Sequence, residues 1–194
     1  IRLGLVGSEM CIRDSRCTSW DEVIEEGKAM NATGTGITGG DPMLDLEKTL
    51  EAVRQLKAAF GPDHHVHAYT SIPFDPDRAA DFGAAGLDEI RFHLLDGTTG
   101  KYRATMEACA EHGIEVGVEL PCEPDKEAQL FALLEDLATV PVSFLNLNEL
   151  EITVGNQENM DVRGFNLSGG ITAAAEGSAE LAIRLKEAAA DKPY

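Results

Sequence analysis

Two hydrophobic periods alternate along most of this chain. Segments with apolar residues every three or four positions, typical of amphipathic helices, are separated by short apolar runs bounded by glycine, typical of buried strands. The pattern predicts helices over residues 21–32, 44–60, 77–85, 99–111, 126–139 and 178–190. It predicts strands over residues 35–38, 65–72, 89–95, 114–120 and 142–150.

This regular alternation predicts an α/β fold. Parallel strands joined by helices form right-handed crossovers, and five such strands amount to an incomplete (β/α) barrel. The alternation of helix and strand patterns is interrupted between residues 151 and 172, where the chain is polar and contains Gly and Asn. We interpret that stretch as a long loop or small insertion on the barrel rather than a second domain.

Charge narrows the choice of partners. The net charge is −18, from 34 acidic against 16 basic residues. This negative charge disfavours binding to nucleic-acid phosphate backbones and to anionic membranes. No apolar run is long enough to span a bilayer. The sequence therefore predicts neither a nucleic-acid nor a membrane partner, and the few unpatterned cysteines predict a reducing, cytoplasmic setting. A small-molecule cofactor is expected, and the substrate, a small molecule or a protein, stays unassigned.

The first 15 residues differ in character from the rest. Residues 9–15, EMCIRDS, match the translation of the transposase-type sequencing adapter GAG ATG TGT ATA AGA GAC AGN. We therefore predict that residues 1–15 are adapter-derived and non-native, and that residues 16–194 form the protein's own domain. The carboxyl end also resembles a truncation, because Pro193 and Tyr194 follow a helix where another strand is due.

Polar residues gather where the predicted strands end. In a parallel barrel the carboxyl ends of the strands form the binding face. The first such end, Thr38-Gly39-Gly40-Asp41, combines glycines that allow close backbone approach with a carboxylate that suits an amine. The other polar residues at these ends are Thr70, His93, Asp96, Glu119, Cys122, Asn146, Asn148 and Glu149. They predict a polar ligand pocket.

No reaction follows from these residues alone. We find no evident nucleophile–base pair and no histidine pair at metal-ligand spacing, and His64 and His65 precede a strand instead of ending it. Structural roles also stay open. Gly39-Gly40 could form only a tight turn, and His93 could be a histidine of the core or of its rim. Cys122 could serve only in packing. The catalytic residues are therefore left unassigned.

Four segments in order carry a resemblance to a known family. TGTGITGGDP at residues 33–42 resembles the GGE-type motif of radical S-adenosylmethionine enzymes, with Asp41 in place of Glu. AYTSI at 68–72, FHLLDG at 92–97 and AEHGIEVGVELP at 110–121 resemble later strands of the same family. The resemblance covers residues 21–152 and is strongest to an archaeal group related to pyruvate formate-lyase activating enzymes.

The resemblance implies both a fold and a set of cofactors. It implies a partial (β/α) barrel that binds S-adenosylmethionine beside a [4Fe–4S] cluster and generates a 5′-deoxyadenosyl radical. By position, Thr38, Gly39, Gly40 and Asp41 would hold the methionine end. The remaining cofactor-binding residues would be Thr70, His93 and Glu119, the last two near the ribose or the substrate.

One departure from the family is decisive for this chain. The CxxxCxxC motif that holds the cluster is absent, since the cysteines are Cys11, Cys17, Cys109 and Cys122. We therefore predict that the chain is a fragment without metal ligands, lacking the first strand and the cluster loop. The parent would be a radical enzyme and the fragment inactive. Without a first strand, the edge near Ile37 should also be unpaired and prone to aggregate.

Two alternatives remain. The first is a cluster-free barrel lyase or aldolase that uses strand-end carboxylates and His93. It lacks a lysine at a strand end for a Schiff base. The second is a non-catalytic ligand-binding remnant.

Overall fold

The computed structural model describes residues 2–6, 17, 19–169 and 173–194. From α1 to β6 the helices and strands alternate as the hydrophobic pattern predicts, whereas β1 and α6 are elements that the pattern does not predict. The strands are β1 (Arg2–Val6), β2 (Gly34–Thr38), β3 (His65–Thr70), β4 (Glu89–Phe92), β5 (Glu115–Cys122) and β6 (Phe144–Glu149). The helices are α1 (Trp20–Ala29), α2 (Leu46–Phe60), α3 (Ala79–Ala85), α4 (Arg103–Glu111), α5 (Glu127–Leu137), α6 (Gln157–Val162) and α7 (Ser178–Ala188).

The sheet runs in sequence order. The described strands follow one another as β1-β2-β3-β4-β5-β6, and β2 to β6 form a parallel five-stranded sheet flanked by helices. Gly36 of β2 lies opposite His67 of β3, which in turn lies opposite Glu89 of β4. The α/β class predicted from sequence is confirmed, whereas the structure shows no closed barrel among its described strands.

One edge differs from the prediction. The sequence predicts an unpaired edge beside Ile37, but β1 pairs with β2 over its whole length and sets Leu3 opposite Ile37. This pairing is antiparallel, whereas a first strand in a regular βα repeat would run parallel to β2. Residues 2–6 thus cover the edge without continuing the repeat, and their adapter origin stays a prediction.

Side chains cap the first turns of α1 and α2. At α1, the Ser19 hydroxyl accepts a hydrogen bond from the Glu22 amide at 3.3 Å. At α2, the Asp45 carboxylate accepts one from the Lys48 amide at 3.1 Å, and Gly61 ends the helix with φ at 95°. No helix in the described part of the chain is long and apolar enough to cross a membrane.

Two compact units divide the chain. Unit 1 comprises Ile1–His93 and Lys101–Gly117, and unit 2 comprises Leu94–Gly100 and Val118–Tyr194. The last of the three boundaries along the chain falls within β5, between Gly117 and Val118.

In unit 1 the two faces of β2, β3 and β4 differ sharply. Alternate residues of a strand point to opposite faces of its sheet. One face carries side chains that are fully or almost fully buried: Thr35, Ile37, Val66, Ala68, Thr70, Ile90 and Phe92. The other carries glycines and polar groups: Gly34, Gly36, His65, His67, Tyr69, Glu89 and Arg91. Hydrophobic burial on the first face stabilises the unit. The second face carries polar side chains, although Gly34, Gly36, His67 and Glu89 on it are buried too.

Unit 2 has its own apolar core. Its largest buried side chains come from α5 and α7, among them Leu133, Leu137 and Leu181. The segment after β6 contains α6 and adds a small cluster of Leu150, Ile152, Met160 and Ala175, against which Phe165 packs. Isolated bridges pair Glu151 with Ala174 and Leu167 with Ala175, so the stretch interpreted from sequence as a loop or insertion contains regular structure.

Candidate functional site

Asp41 joins the carboxyl ends of two strands. It follows β2, and its carboxylate accepts hydrogen bonds from the Thr70 hydroxyl at 2.8 Å and the Ser71 amide at 2.6 Å. It also accepts the Met43 amide at 3.0 Å, which caps a short 3₁₀ turn over Pro42–Leu44. These three bonds hold the half-buried carboxylate in one orientation and leave about one of its four acceptor positions for another donor.

The two glycines before Asp41 form an open backbone turn. Gly39 and Gly40 have φ of 90° and 79°, a region that side chains rarely adopt. Both are exposed, and a Cβ placed on Gly40 would meet nothing within 4 Å. Conformation therefore requires glycine here. The open space beside Gly40 is what a ligand approaching the main chain needs.

The structure brings the predicted residues of β3 and β4 close to this turn. The His93 amide donates to the Thr70 carbonyl at 2.8 Å, and the Tyr102 hydroxyl donates to the Ser71 carbonyl at 3.0 Å. Thr38 and His93 are both half-buried. Unit 1 thus assembles one polar edge from Thr38, Gly39, Gly40, Asp41, Thr70 and His93.

Glu119 belongs to a second cluster, within unit 2. Its two carboxylate oxygens accept the side-chain amides of Asn146 at 3.0 Å and Asn148 at 3.1 Å. Asn146 and Asn148 stand two residues apart on β6 and therefore share a face. The cluster offers a carboxylate between two amides, a set that suits hydroxyl or amine groups. Glu149 lies exposed at the end of the same strand.

The other strand-end candidates in unit 2 offer little chemistry. Asp96 is exposed, and its carbonyl accepts the Gln129 side-chain amide at 2.9 Å. Cys122 is fully buried, and burial raises the pKa of its thiol to about 11. Burial also raises the pKa of the Cys109 thiol, in unit 1, to about 12. Both stay protonated near neutral pH and are poor nucleophiles or metal ligands there.

We expected no histidine pair at metal-ligand spacing and placed His65 before a strand, but both expectations are wrong: His65 and His67 lie within β3, beside Glu89 at the amino end of β4. His65, His67 and Glu89 place one ligand atom each within 4.8 Å of one another. The signal was present in the sequence as His-Val-His inside a strand, because residues two apart share a face. We call these three residues the amino-end cluster.

A curated relative has a similar sequence. The chain is 32% identical over 177 residues to a Methanocaldococcus jannaschii protein named as a candidate glycyl-radical enzyme activating enzyme. The match covers 87% of this chain and 47% of that protein, so the chain spans about half the length of this relative. The similarity agrees with the resemblance drawn from the four sequence segments. No protein-family model matches the chain.

Solved structures give a weaker comparison. The carboxyl transferase domain of Rhizobium etli pyruvate carboxylase superposes with a TM-score of 0.47 at 13% identity, over 66% of this chain and 27% of that one. A second structure of the same enzyme gives a TM-score of 0.42, over 57% and 13% of the two chains. Likenesses at this level carry no functional argument.

The two cofactors implied by the resemblance fit this chain differently. The turn at Gly39-Gly40 and the oriented Asp41 carboxylate suit the amino group of a bound methionine moiety. An iron–sulfur cluster needs several thiolates on one loop. Cys109 in α4 and Cys122 in β5 are buried in separate elements, and Cys17 is exposed near the start of α1. These cysteines do not fit a cluster.

Proposed function

We propose that this chain is part of a radical S-adenosylmethionine enzyme of the type that activates glycyl-radical enzymes. The observation that carries the proposal is the 32% identity, over 87% of the chain, to a relative named for that activity. The polar edge of unit 1 supports it, because it lies where the resemblance expects the methionine end of S-adenosylmethionine.

The fold we propose for the whole protein is a partial (β/α) barrel. Its parallel strands and flanking helices in the order β2 to β6 support this arrangement. When both cofactors are bound, the chemistry they supply in this family is reductive cleavage of S-adenosylmethionine to a 5′-deoxyadenosyl radical. The relative's name points to a partner protein, the glycyl-radical enzyme, as the target.

Asp41 has the central role among the residues of this chain. Its carboxylate would accept the methionine ammonium through the acceptor position that Thr70, Ser71 and Met43 leave open. Gly40 would let S-adenosylmethionine approach the main chain. An oriented carboxylate loses little entropy on binding an amine, and a charge-assisted hydrogen bond contributes about 1.5–3 kcal/mol.

His93 and Glu119 are proposed as contacts for the ribose or the substrate. His93 stands at the end of β4 beside the Thr70 carbonyl, while Glu119 is held by two asparagines in unit 2. For the chain itself we propose no turnover, since its four cysteines contain no CxxxCxxC spacing. Uninterrupted nucleotide sequence across the codons for residues 15–17 tests whether such a motif exists in the source gene.

The test of the proposed site is direct binding of S-adenosylmethionine to this chain by calorimetry. We expect Asp41→Asn to weaken binding by roughly tenfold to a hundredfold, because the substitution removes the charge that pairs with the ammonium. Asp63→Asn is the matched control, since Asp63 is exposed in the loop before β3. Circular dichroism verifies that each variant is folded.

Two results would contradict this assignment. One is no detectable binding by the unsubstituted chain at millimolar S-adenosylmethionine. The other is equal affinity for the unsubstituted chain and Asp41→Asn. A loss in both Asp41→Asn and Asp63→Asn would indicate general electrostatics instead of a site.

A further inference from the structure

The amino-end cluster is built by strand geometry in unit 1. His65 and His67 stand two residues apart on β3 and therefore project from the same face. Glu89, the first residue of β4, lies opposite His67 in the parallel register. Two imidazoles and one carboxylate thus converge at the amino ends of the strands, the reverse end from Thr70 and His93.

The spacing of the ligand atoms is close to that of a transition-metal site, and His65 and Glu89 already have it. His65 Nε2 lies 3.2 Å from Glu89 Oε2, and all three ligand atoms fall within 4.8 Å of one another. Ligands about 2.1 Å from a tetrahedral zinc ion are about 3.4 Å apart, so small side-chain rotations would complete the coordination. Two histidines and one carboxylate are a ligand set that suits zinc and other first-row divalent ions.

Burial gives the cluster both shielding and access. Glu89 and His67 are each 6% exposed as residues, whereas the His65 side chain is 44% exposed. The first two would hold an ion away from bulk water, and His65 would close the site from the solvent side. With three protein ligands, one coordination position remains for water.

Neighbouring residues hold these ligands in place. Gly36 of β2 leaves the space that the His67 ring occupies, since a Cβ there would lie 2.7 Å from His67 Nε2. Tyr69 packs its ring against His67 edge-on, with centroids 5.2 Å apart. Arg91 donates to Glu89 Oε1, and this leaves Oε2 turned towards His65. Partners of this kind commonly orient metal ligands.

We infer that His65, His67 and Glu89 form a binding site for one divalent transition-metal ion, with Zn²⁺ as the representative. The ion would bridge β3 and β4 at their amino ends and keep one coordination position for water. The site is separate from the polar edge of Asp41, and the inference does not depend on the proposed function. The alternative role for these residues is an ion-pair cluster of Glu89 with His65 and Arg91.

Zinc titration of the chain by calorimetry tests the inference. The protein is purified without a polyhistidine tag and carries Cys11→Ser and Cys17→Ser, so that neither thiol competes for the metal. We expect one Zn²⁺ per chain, and roughly tenfold or greater weakening in His65→Gln, His67→Gln and Glu89→Gln. His112→Gln is the matched control, because His112 is exposed at the end of α4.

X-ray absorption at the zinc edge supplies an independent readout. The expected spectrum shows nitrogen and oxygen at about 2.0–2.1 Å with imidazole scattering, and no sulfur at about 2.3 Å. Three results would overturn the inference: absence of stoichiometric Zn²⁺ binding, a sulfur shell in the spectrum, or equal affinity for Zn²⁺ in His65→Gln and in the chain with His65 intact. Because His65 is half-exposed, that variant decides the question even if substitutions at the buried His67 or Glu89 prevent folding.

Discussion

His64 is a buried imidazole next to a lysine. Its Nε2 lies 2.8 Å from the Thr35 hydroxyl, and its ring stacks on Phe60 with centroids 4.4 Å apart. Burial lowers the pKa of His64 below 6.5, and the nearby charge of Lys57 lowers it further. The folded protein therefore favours the neutral ring, whereas the unfolded chain accepts a proton once the pH falls below about 6.5.

This difference makes folding stability depend on pH. The contribution of His64 is fully present above pH 6.5 and is lost as the pH falls from there to the lower folded-state pKa, by up to about 1.4 kcal/mol per pH unit. We expect His64→Gln to lose less free energy of unfolding between pH 7.5 and 5.5 than the unsubstituted chain, measured by urea denaturation. His112→Gln should keep the original dependence. If His64→Gln lost as much free energy of unfolding between pH 7.5 and 5.5 as the unsubstituted chain, His64 would not be the source of this pH dependence.

Lys57 joins helix α2 to the beginnings of strands β3 and β4 within unit 1. From the last turn of α2 its ammonium donates to the carbonyls of Pro62 at 2.9 Å and His64 at 2.7 Å, and to Asp88 at 2.7 Å. Asp88, just before β4, also accepts the amide of Val66 in β3 at 2.6 Å. One helix end is thereby attached to the beginnings of two strands.

Removing this ammonium should destabilise the protein. Lys57→Met keeps the apolar stem but removes the ammonium donor from two carbonyls and from Asp88, which would keep only the Val66 amide, so we expect a loss of about 2 kcal/mol in the free energy of unfolding. Lys48→Met is the matched control on the exposed face of α2 and should change stability by less than about 0.5 kcal/mol. Urea denaturation measures both. If both variants changed the free energy of unfolding by the same small amount, the ammonium of Lys57 would contribute nothing to stability.

At the level of elements, sequence and structure agree because the signals are local. Glycines at 61, 86 and 113 follow three helices. The sequence offers the hydroxyl of residue 18 or of Ser19 as the cap of α1, and in the structure Ser19 accepts the hydrogen bond. The first turns of predicted helices are less regular. Pro76 and Pro124 begin short 3₁₀ turns, so α3 and α5 start slightly later than their hydrophobic patterns indicate.

The candidate site was predictable in part for the same reason. Strand-end position identifies Asp41, Thr70 and His93, and the structure brings these three together. The side-chain amides that hold Glu119 depend on tertiary pairing between β5 and β6, which no local signal encodes. The amino-end cluster depends likewise on the register that sets His67 opposite Glu89.

At the scale of the whole molecule, β1 determines which sheet edge is exposed. It occupies the backbone hydrogen-bonding groups of β2 from Gly34 to Thr38. An edge strand with unpaired backbone groups is a template for association with another chain. The stretch predicted to be adapter-derived therefore protects the sheet whatever its origin.

Deletion of residues 1–16 tests this role. We expect the shortened chain to form dimers or larger species at concentrations where the full chain is monodisperse, because β2 becomes an open edge. Light scattering coupled to size-exclusion chromatography compares the two at matched concentrations. If the shortened chain had the same oligomeric state as the full chain at every concentration tested, β1 would not be needed to protect the edge.

The bonds around Asp41 have a consequence for how a ligand meets this protein. Because Thr70, Ser71 and Met43 already fix the carboxylate, the turn after β2 reaches its working shape during folding. The ligand proposed for this edge would meet a carboxylate that is already oriented, so more of each contact would appear as affinity. Recognition at this edge would then follow lock-and-key behaviour, with association limited by encounter and orientation instead of by loop closure.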